Sequence, residues 1–198
     1  DKYGESRILK QVVEAAGGSD AYNMVLTTAT AKTLEVGNEY RMAFQRLGVK
    51  DIEVLHINSR NEANNDEYVQ KISRCTGIFL TGGDQLRITS IIGGTKAHRA
   101  LLKAYSDGVV IAGTSAGASV MSGTMIVDGD SNEPARKCTL KMAPGLGLLE
   151  DAIIDQHFDQ RGRIGRLLCG VAENPYILGI GIDEDTAIRV YPDAHLEV

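Results

Sequence analysis

The sequence predicts an α/β domain, a doubly wound and mostly parallel sheet with helices on both faces. Short apolar runs of strand length alternate with longer amphipathic segments from residue 8 to residue 182. Glycines punctuate nearly every junction, at Gly17-Gly18, Gly48, Gly93-Gly94 and Gly108. Residues 109–120 pass from a buried-strand pattern, through small residues, into a segment able to start a helix, with Gly-x-Ser-x-Gly centred on Ser115. In such sheets ligands bind outside the carboxyl ends of the strands.

The elements follow in order. Ile8, Leu9, Val12, Val13 and Ala16 recur at helical spacing until Gly17-Gly18 ends a first helix. Residues 22–27 are short and apolar like a buried strand, and residues 38–47 form a helix that Gly48 stops. Residues 51–57 read as a strand, 58–65 as a loop, Asp66–Arg74 as a short helix and Gly77–Leu80 as a third strand entering Thr81-Gly82-Gly83-Asp84. Helices over Gln85–Ile92 and 97–105 precede the strand that leads to Ser115. Residues 128–136, polar and containing Gly129 and Pro134, read as a surface loop near the site. A strand over 152–158 ends in His157, a helix over 161–171 carries Arg161, Arg163 and Arg166 in its opening turns, and a strand over 177–182 ends in Asp183-Glu184-Asp185. Residues 186–191 continue extended.

No linker or repeat divides the chain, so residues 1–198 form one domain. Its opening on a helix and its ending in an apparent strand lead to the expectation that a first strand and the last strands are missing. The 43% hydrophobic and 24% charged content describes a globular protein, and 22 glycines against four prolines favour tight turns over disorder. A net charge of −5 argues against a general nucleic-acid binder. Three scattered cysteines, Cys75, Cys138 and Cys169, suggest neither a disulfide framework nor a metal site. No apolar run reaches the roughly 20 residues that span a bilayer. A cytoplasmic protein without membrane partner, metal or cofactor is expected, and the unseen upstream segment leaves a secreted form open.

Ser115 sits where a tight turn lifts a nucleophile out of a sheet, with the Ala116 amide pointing toward the same space at a positive helix end. A P-loop is set aside, because no lysine follows Gly117 before Lys137. The serine needs a base, and that base usually needs an orienting carboxylate. Of four histidines, His56 lies within an early strand, His98 begins a surface helix and His195 follows Pro192, all positions with a structural or solvent-exposed explanation. His157 lies at a strand's carboxyl end, although a capping or core role is the competing explanation. Among Asp183, Glu184 and Asp185, period-two alternation puts Glu184 on the face of Ile180 and Ile182; a solvated acidic turn is the alternative. Gly83, at the tip of a neighbouring strand, is the candidate for a second oxyanion donor, or simply a turn glycine. The order Ser115, His157, Glu184 differs from the serine, acid, histidine order of α/β-hydrolases.

Four blocks now carry a resemblance: Thr81-Gly82-Gly83-Asp84-Gln85, Gly113-Thr114-Ser115-Ala116-Gly117, Asp155-Gln156-His157-Phe158 with Arg161, Arg163 and Arg166, and Gly181-Ile182-Asp183-Glu184-Asp185. The chain resembles the cyanophycinases, serine peptidases related to α-aspartyl dipeptidase (peptidase E) in the class I glutamine amidotransferase-like fold. The match covers nearly the whole chain, and the Asp-Gln-His-Phe block with three arginines is its most specific part. The resemblance implies hydrolysis of cyanophycin, a poly-aspartate carrying arginine on its side-chain carboxyls, to β-aspartyl-arginine dipeptides. It further implies Ser115 as nucleophile, His157 as base, Glu184 as its orienter, and Gly83 with Ala116 as the oxyanion amides. Gln85, Asp155, Gln156, Arg161, Arg163 and Arg166 would line the substrate pocket, and the protein would be a homodimer. Arginine suits the substrate's free carboxylates and a carboxylate such as Asp155 suits its guanidinium, while a solvated basic helix face is the plain alternative.

Two other functions compete. A peptidase E-like enzyme would cleave after an N-terminal aspartate in α-linked dipeptides. A non-catalytic relative would bind arginine-rich polymer without hydrolysis, and retention of Ser115, His157 and Glu184 together speaks against it.

Overall fold

The computed structural model describes residues 3–129 and 140–198. Its centre is a four-stranded, wholly parallel sheet in the order β2-β1-β3-β4, built from β1 (Tyr22–Leu26), β2 (Asp51–Leu55), β3 (Gly77–Leu80) and β4 (Val110–Gly113). Helices α1 (Arg7–Ala15) and α2 (Thr33–Arg46) cover one face; α3 (Asp66–Arg74), α4 (Gln85–Ile92) and α5 (Lys96–Ser106) cover the other.

Strand periodicity sorts the core between these layers. Met24 and Leu26 join Ile78, Leu80, Ile88, Ile92 and Leu101 on the α3–α5 side. Val25 and Phe79, one residue out of phase, join Leu9, Val13, Tyr40 and Phe44 on the other. There the rings of Tyr40 and Phe79 lie 4.7 Å apart, and Phe44 meets Phe79 edge-on at 5.6 Å. The Asn65 and Asp84 side chains cap α3 and α4 by accepting backbone amides, that of Asp84 taking Leu86 at 2.8 Å.

After β4 the chain makes a four-residue helix, α6 (Ala116–Ser119), and then an antiparallel hairpin, β5 (Thr124–Asp128) with β6 (Lys141–Pro144). A separate parallel pair follows, β7 (Ala152–Gln156) with β8 (Leu178–Ile182), joined by α7 (Ile164–Glu173). Ile126 of β5 joins Ile153 of β7 and Leu167 of α7 in a small core that this pair shares with the hairpin. The Ser122 hydroxyl ties the two parts together by accepting the Ile154 amide at 3.1 Å. A short antiparallel ribbon, β9 (Arg189–Val190) with β10 (Leu196–Glu197), ends the chain.

Several expectations change. Helix α2 starts five residues earlier than residue 38; its first turn leaves Leu34 exposed, which blurs the apolar stripe there and hides the start from the sequence pattern. The β5–β6 hairpin is absent from the sequence reading; Asp128 belongs to β5, and the rest of the expected loop from residue 130 onward lies outside the described residues. Helix α7 begins at Ile164 and not at residue 161: a 3-10 turn, Asp159–Arg161, comes first, and Gly162 at φ 57° breaks the run. Of the three arginines only Arg166 lies within α7.

Candidate active site

The carboxyl ends of β3, β4, β7 and β8 meet on one edge. Gly117 allows α6 to lie directly on β3, since a Cβ there would collide with the Leu80 carbonyl. Ser115 stands at the β4–α6 turn with φ 52° and ψ −117°, a strained conformation for a residue with a side chain. Gly82 packs against the Ser115 side chain, and Gly83, at φ 144°, crosses so close to Ala29 that a Cβ would strike the Ala29 carbonyl. The double glycine therefore runs as bare backbone beside the serine.

Ser115 Oγ lies 3.1 Å from His157 Nε2, and His157 Nδ1 lies 2.8 Å from Glu184 Oε1. With Nδ1 donating to the carboxylate, Nε2 presents its lone pair to the serine hydroxyl. His157 follows β7 directly and, like Ser115, has a positive φ, here 51°. The Gln156 Oε1 also lies within 3.4 Å of Ser115 Oγ. Glu184 leaves β8 two residues past its last strand position and is 57% exposed, whereas His157 is 27% exposed. Ala116 is fully buried and opens α6 directly after Ser115.

Beneath this edge lies a buried charge cluster. Asp155 is 1% exposed and pairs in two-pronged fashion with Arg166, through Nε at 2.7 Å and through Nη2. Arg163 reaches Asp155 at 3.4 Å and donates to the Gln156 carbonyl. Both arginines are 7% exposed, and the Arg163 Nε has no hydrogen-bond partner. Loss of solvation, then the neighbouring Arg166 charge, lowers the Arg163 pKa. Of the three arginines expected to line the substrate pocket, Arg163 and Arg166 are therefore interior, which removes the alternative of a solvated basic face for them, and Arg161 is exposed. Gln85 is half-buried and donates to the Ile126 carbonyl at 3.2 Å.

The other histidines are engaged elsewhere. His56 Nδ1 sits 2.6 Å from Thr27 Oγ1, His98 bonds the Leu146 carbonyl and the Gly94 amide, and His195 stacks on Tyr191. Among the described residues no histidine, cysteine and carboxylate group forms a metal cluster, and no helix is long and apolar enough to cross a membrane. Sequence reasoning missed Gln160, whose side chain bonds the Glu184 backbone; a lone glutamine in a polar turn carries no periodic signal.

The family model for Peptidase family S51 matches residues 2–197. A cyanophycinase of Geminocystis herdmanii (strain PCC 6308) is 38% identical over the whole chain and 73% of its own length. Cyanophycinases of Nostoc sp. and Synechococcus elongatus are also 38% identical, with 67% and 62% of their lengths covered. The chain thus spans between about three fifths and three quarters of the curated relatives it matches. Among solved structures, a peptidase from an acI-B1 Actinobacterium aligns with a TM-score of 0.67 at 21% identity, over 92% of this chain and 76% of that one. A protein assigned to peptidase E from Listeria monocytogenes EGD-e aligns at 0.65 and 18%, over 94% and 90%. These two share the fold. The resemblance read from the motif blocks holds, and the chain belongs to peptidase family S51 and is by that membership a peptidase.

Proposed function

We propose that the chain is the catalytic domain of a serine peptidase that releases β-aspartyl-arginine from cyanophycin. The observation that carries this reading is the unbroken hydrogen-bond line from Ser115 through His157 to Glu184, beside the bare Gly82-Gly83 backbone. Ser115 Oγ attacks the scissile carbonyl carbon while His157 Nε2 takes its proton. The oxyanion that forms is held by the Gly83 and Ala116 amides. His157 passes the proton to the leaving amine, the C–N bond breaks, and an acyl-enzyme remains on Ser115. Water, deprotonated by the same histidine, then hydrolyses that ester. Glu184 keeps the imidazole in the tautomer that accepts at Nε2.

In this reading Gln85, Gln156 and Arg161 contact the substrate. Asp155 is already held by Arg166 and shielded from solvent, so its part changes from meeting a guanidinium directly to organising the arginines. Two guanidiniums against one carboxylate leave positive charge beneath Gln156, suited to the substrate's free carboxylates. The resemblance supports a homodimer, while cysteine usage, net charge and the lack of ligand spacing support a cytoplasmic enzyme without cofactor, nucleic-acid or membrane partner.

The test compares release of β-aspartyl-arginine from purified cyanophycin by the full-length protein and by its Ser115→Ala variant. The expected loss is roughly 10⁶-fold. Cleavage of α-aspartyl dipeptides with cyanophycin untouched would move the assignment to a peptidase E-like enzyme. Polymer binding with Ser115 unreactive to a serine-directed phosphonate would make the protein a binder.

A further inference from the structure

We propose that Gln160 and Asp183 are positioning residues that lock the Glu184 loop against the turn carrying His157; this rests on the Ser115, His157, Glu184 reading above. Strands β7 and β8 pair in register up to Gln156 with Ile182, and the Phe158 amide adds one more rung by donating to the Ile182 carbonyl at 3.2 Å. There the ladder stops, because the positive φ of His157 swings the chain out of strand geometry.

Beyond that point side chains stand in for backbone carbonyls. Asp183 Oδ1 accepts the Asp159 amide at 2.8 Å, and Gln160 Oε1 accepts the Glu184 amide at 3.0 Å. The two bonds run in opposite directions across the gap, each segment supplying one side-chain acceptor and one amide. One end of the lock is the 3-10 turn that starts two residues after His157; the other is the pair of residues immediately after β8. The Phe158 ring packs on Gly181 at the end of the ladder, but Asp159, Gln160, Asp183 and Glu184 beyond it are all exposed, so there the two side-chain hydrogen bonds carry the tie. An exposed carboxylate on an untethered loop samples many rotamers and backbone positions. Fixing the Glu184 backbone from one side and the Asp159 backbone from the other confines that search to the geometry that reaches His157 Nδ1.

The experiment is a double-mutant cycle on the full-length protein, read by the rate at which a fluorophosphonate labels Ser115 and by kcat and KM on cyanophycin. Gln160→Ala with Asp183→Ala is expected to lower labelling and kcat about 10²-fold with little change in KM, a loss of the size that small misplacement of a catalytic group produces. In a Glu184→Ala background the same pair should cost nothing further, since the lock acts only through Glu184. Asp183→Asn should recover most of the rate, because its amide oxygen still accepts. Parental rates in the locked-out variant, or an equal loss in both backgrounds, would overturn the proposal, the second outcome meaning a structural role alone. If the double variant fails to fold, Gln160→Ala alone carries the same comparison. Should Glu184→Ala react at the parental rate while Ser115→Ala stays unlabelled, the acid assignment fails and the lock with it; a Ser115→Ala protein labelled like the parent would instead sink the nucleophile assignment.

Discussion

Ser115 and His157, 3.1 Å apart, both hold positive φ angles, 52° and 51°, so each end of their hydrogen bond rests on backbone that ordinary residues avoid. Such positions cost on the order of 1–3 kcal/mol each and persist where surrounding structure enforces them.

Replacing Ser115 by glycine should relieve that strain while removing the nucleophile. After allowance for the greater freedom of glycine in the unfolded chain, a net gain of about 1 kcal/mol is expected, or roughly 2–4 °C in melting temperature. Ser115→Ala, which keeps a Cβ, should show no such gain. Calorimetry on the two variants makes the comparison, and equal melting temperatures would mean that the turn is not strained.

Asp155→Ala should unfold the protein more readily by about 3–5 kcal/mol, because it leaves Arg163 and Arg166 as buried cations with no counter-charge. Denaturant titration measures this. A stable variant with activity alone impaired would return Asp155 to direct substrate contact.

Stability should also fall on mild acidification through His56. Burial, then the nearby Arg41 charge, lowers its pKa from the ordinary value of 6.5. The unfolded chain therefore binds the proton first as pH drops below 6.5, and stability declines from there until the folded protein also protonates. Below both values the loss is complete and constant. A His56→Gln variant should lose this share of the slope between pH 7 and pH 5, as followed by melting temperature; an unchanged slope would clear His56 of the effect.

The parts legible in the sequence are those with a local cause. Asp66–Arg74 and Gln85–Ile92 stand where predicted because a polar cap and an apolar stripe bound each one. Gly77–Leu80 was equally plain as an apolar run between turn signals. The residues of the Ser115, His157 and Glu184 line were named from strand ends and from a family resemblance, and the structure brings all three within hydrogen-bond reach. Hidden from view were features settled by distant partners. The pairing of β5 with β6 joins segments a dozen residues apart with no local signal of each other, and the burial of Arg163 and Arg166 depends on Asp155 lying beneath them. Gly162 reads as an ordinary small residue until its left-handed backbone is seen to delay α7.

The nucleophile rides on the central sheet, whereas its base and acid ride on the β7–β8 pair, which shares no strand hydrogen bonds with it. The Ser115–His157 distance is consequently a gauge of how two separately built layers sit on each other. Substitutions at the seam, such as those at Ser122 or along β5, can retune turnover while both layers keep their own folds. Inactivation on warming should then precede loss of secondary structure, as activity and circular dichroism followed together would show, much as a vernier slips before either of its scales bends.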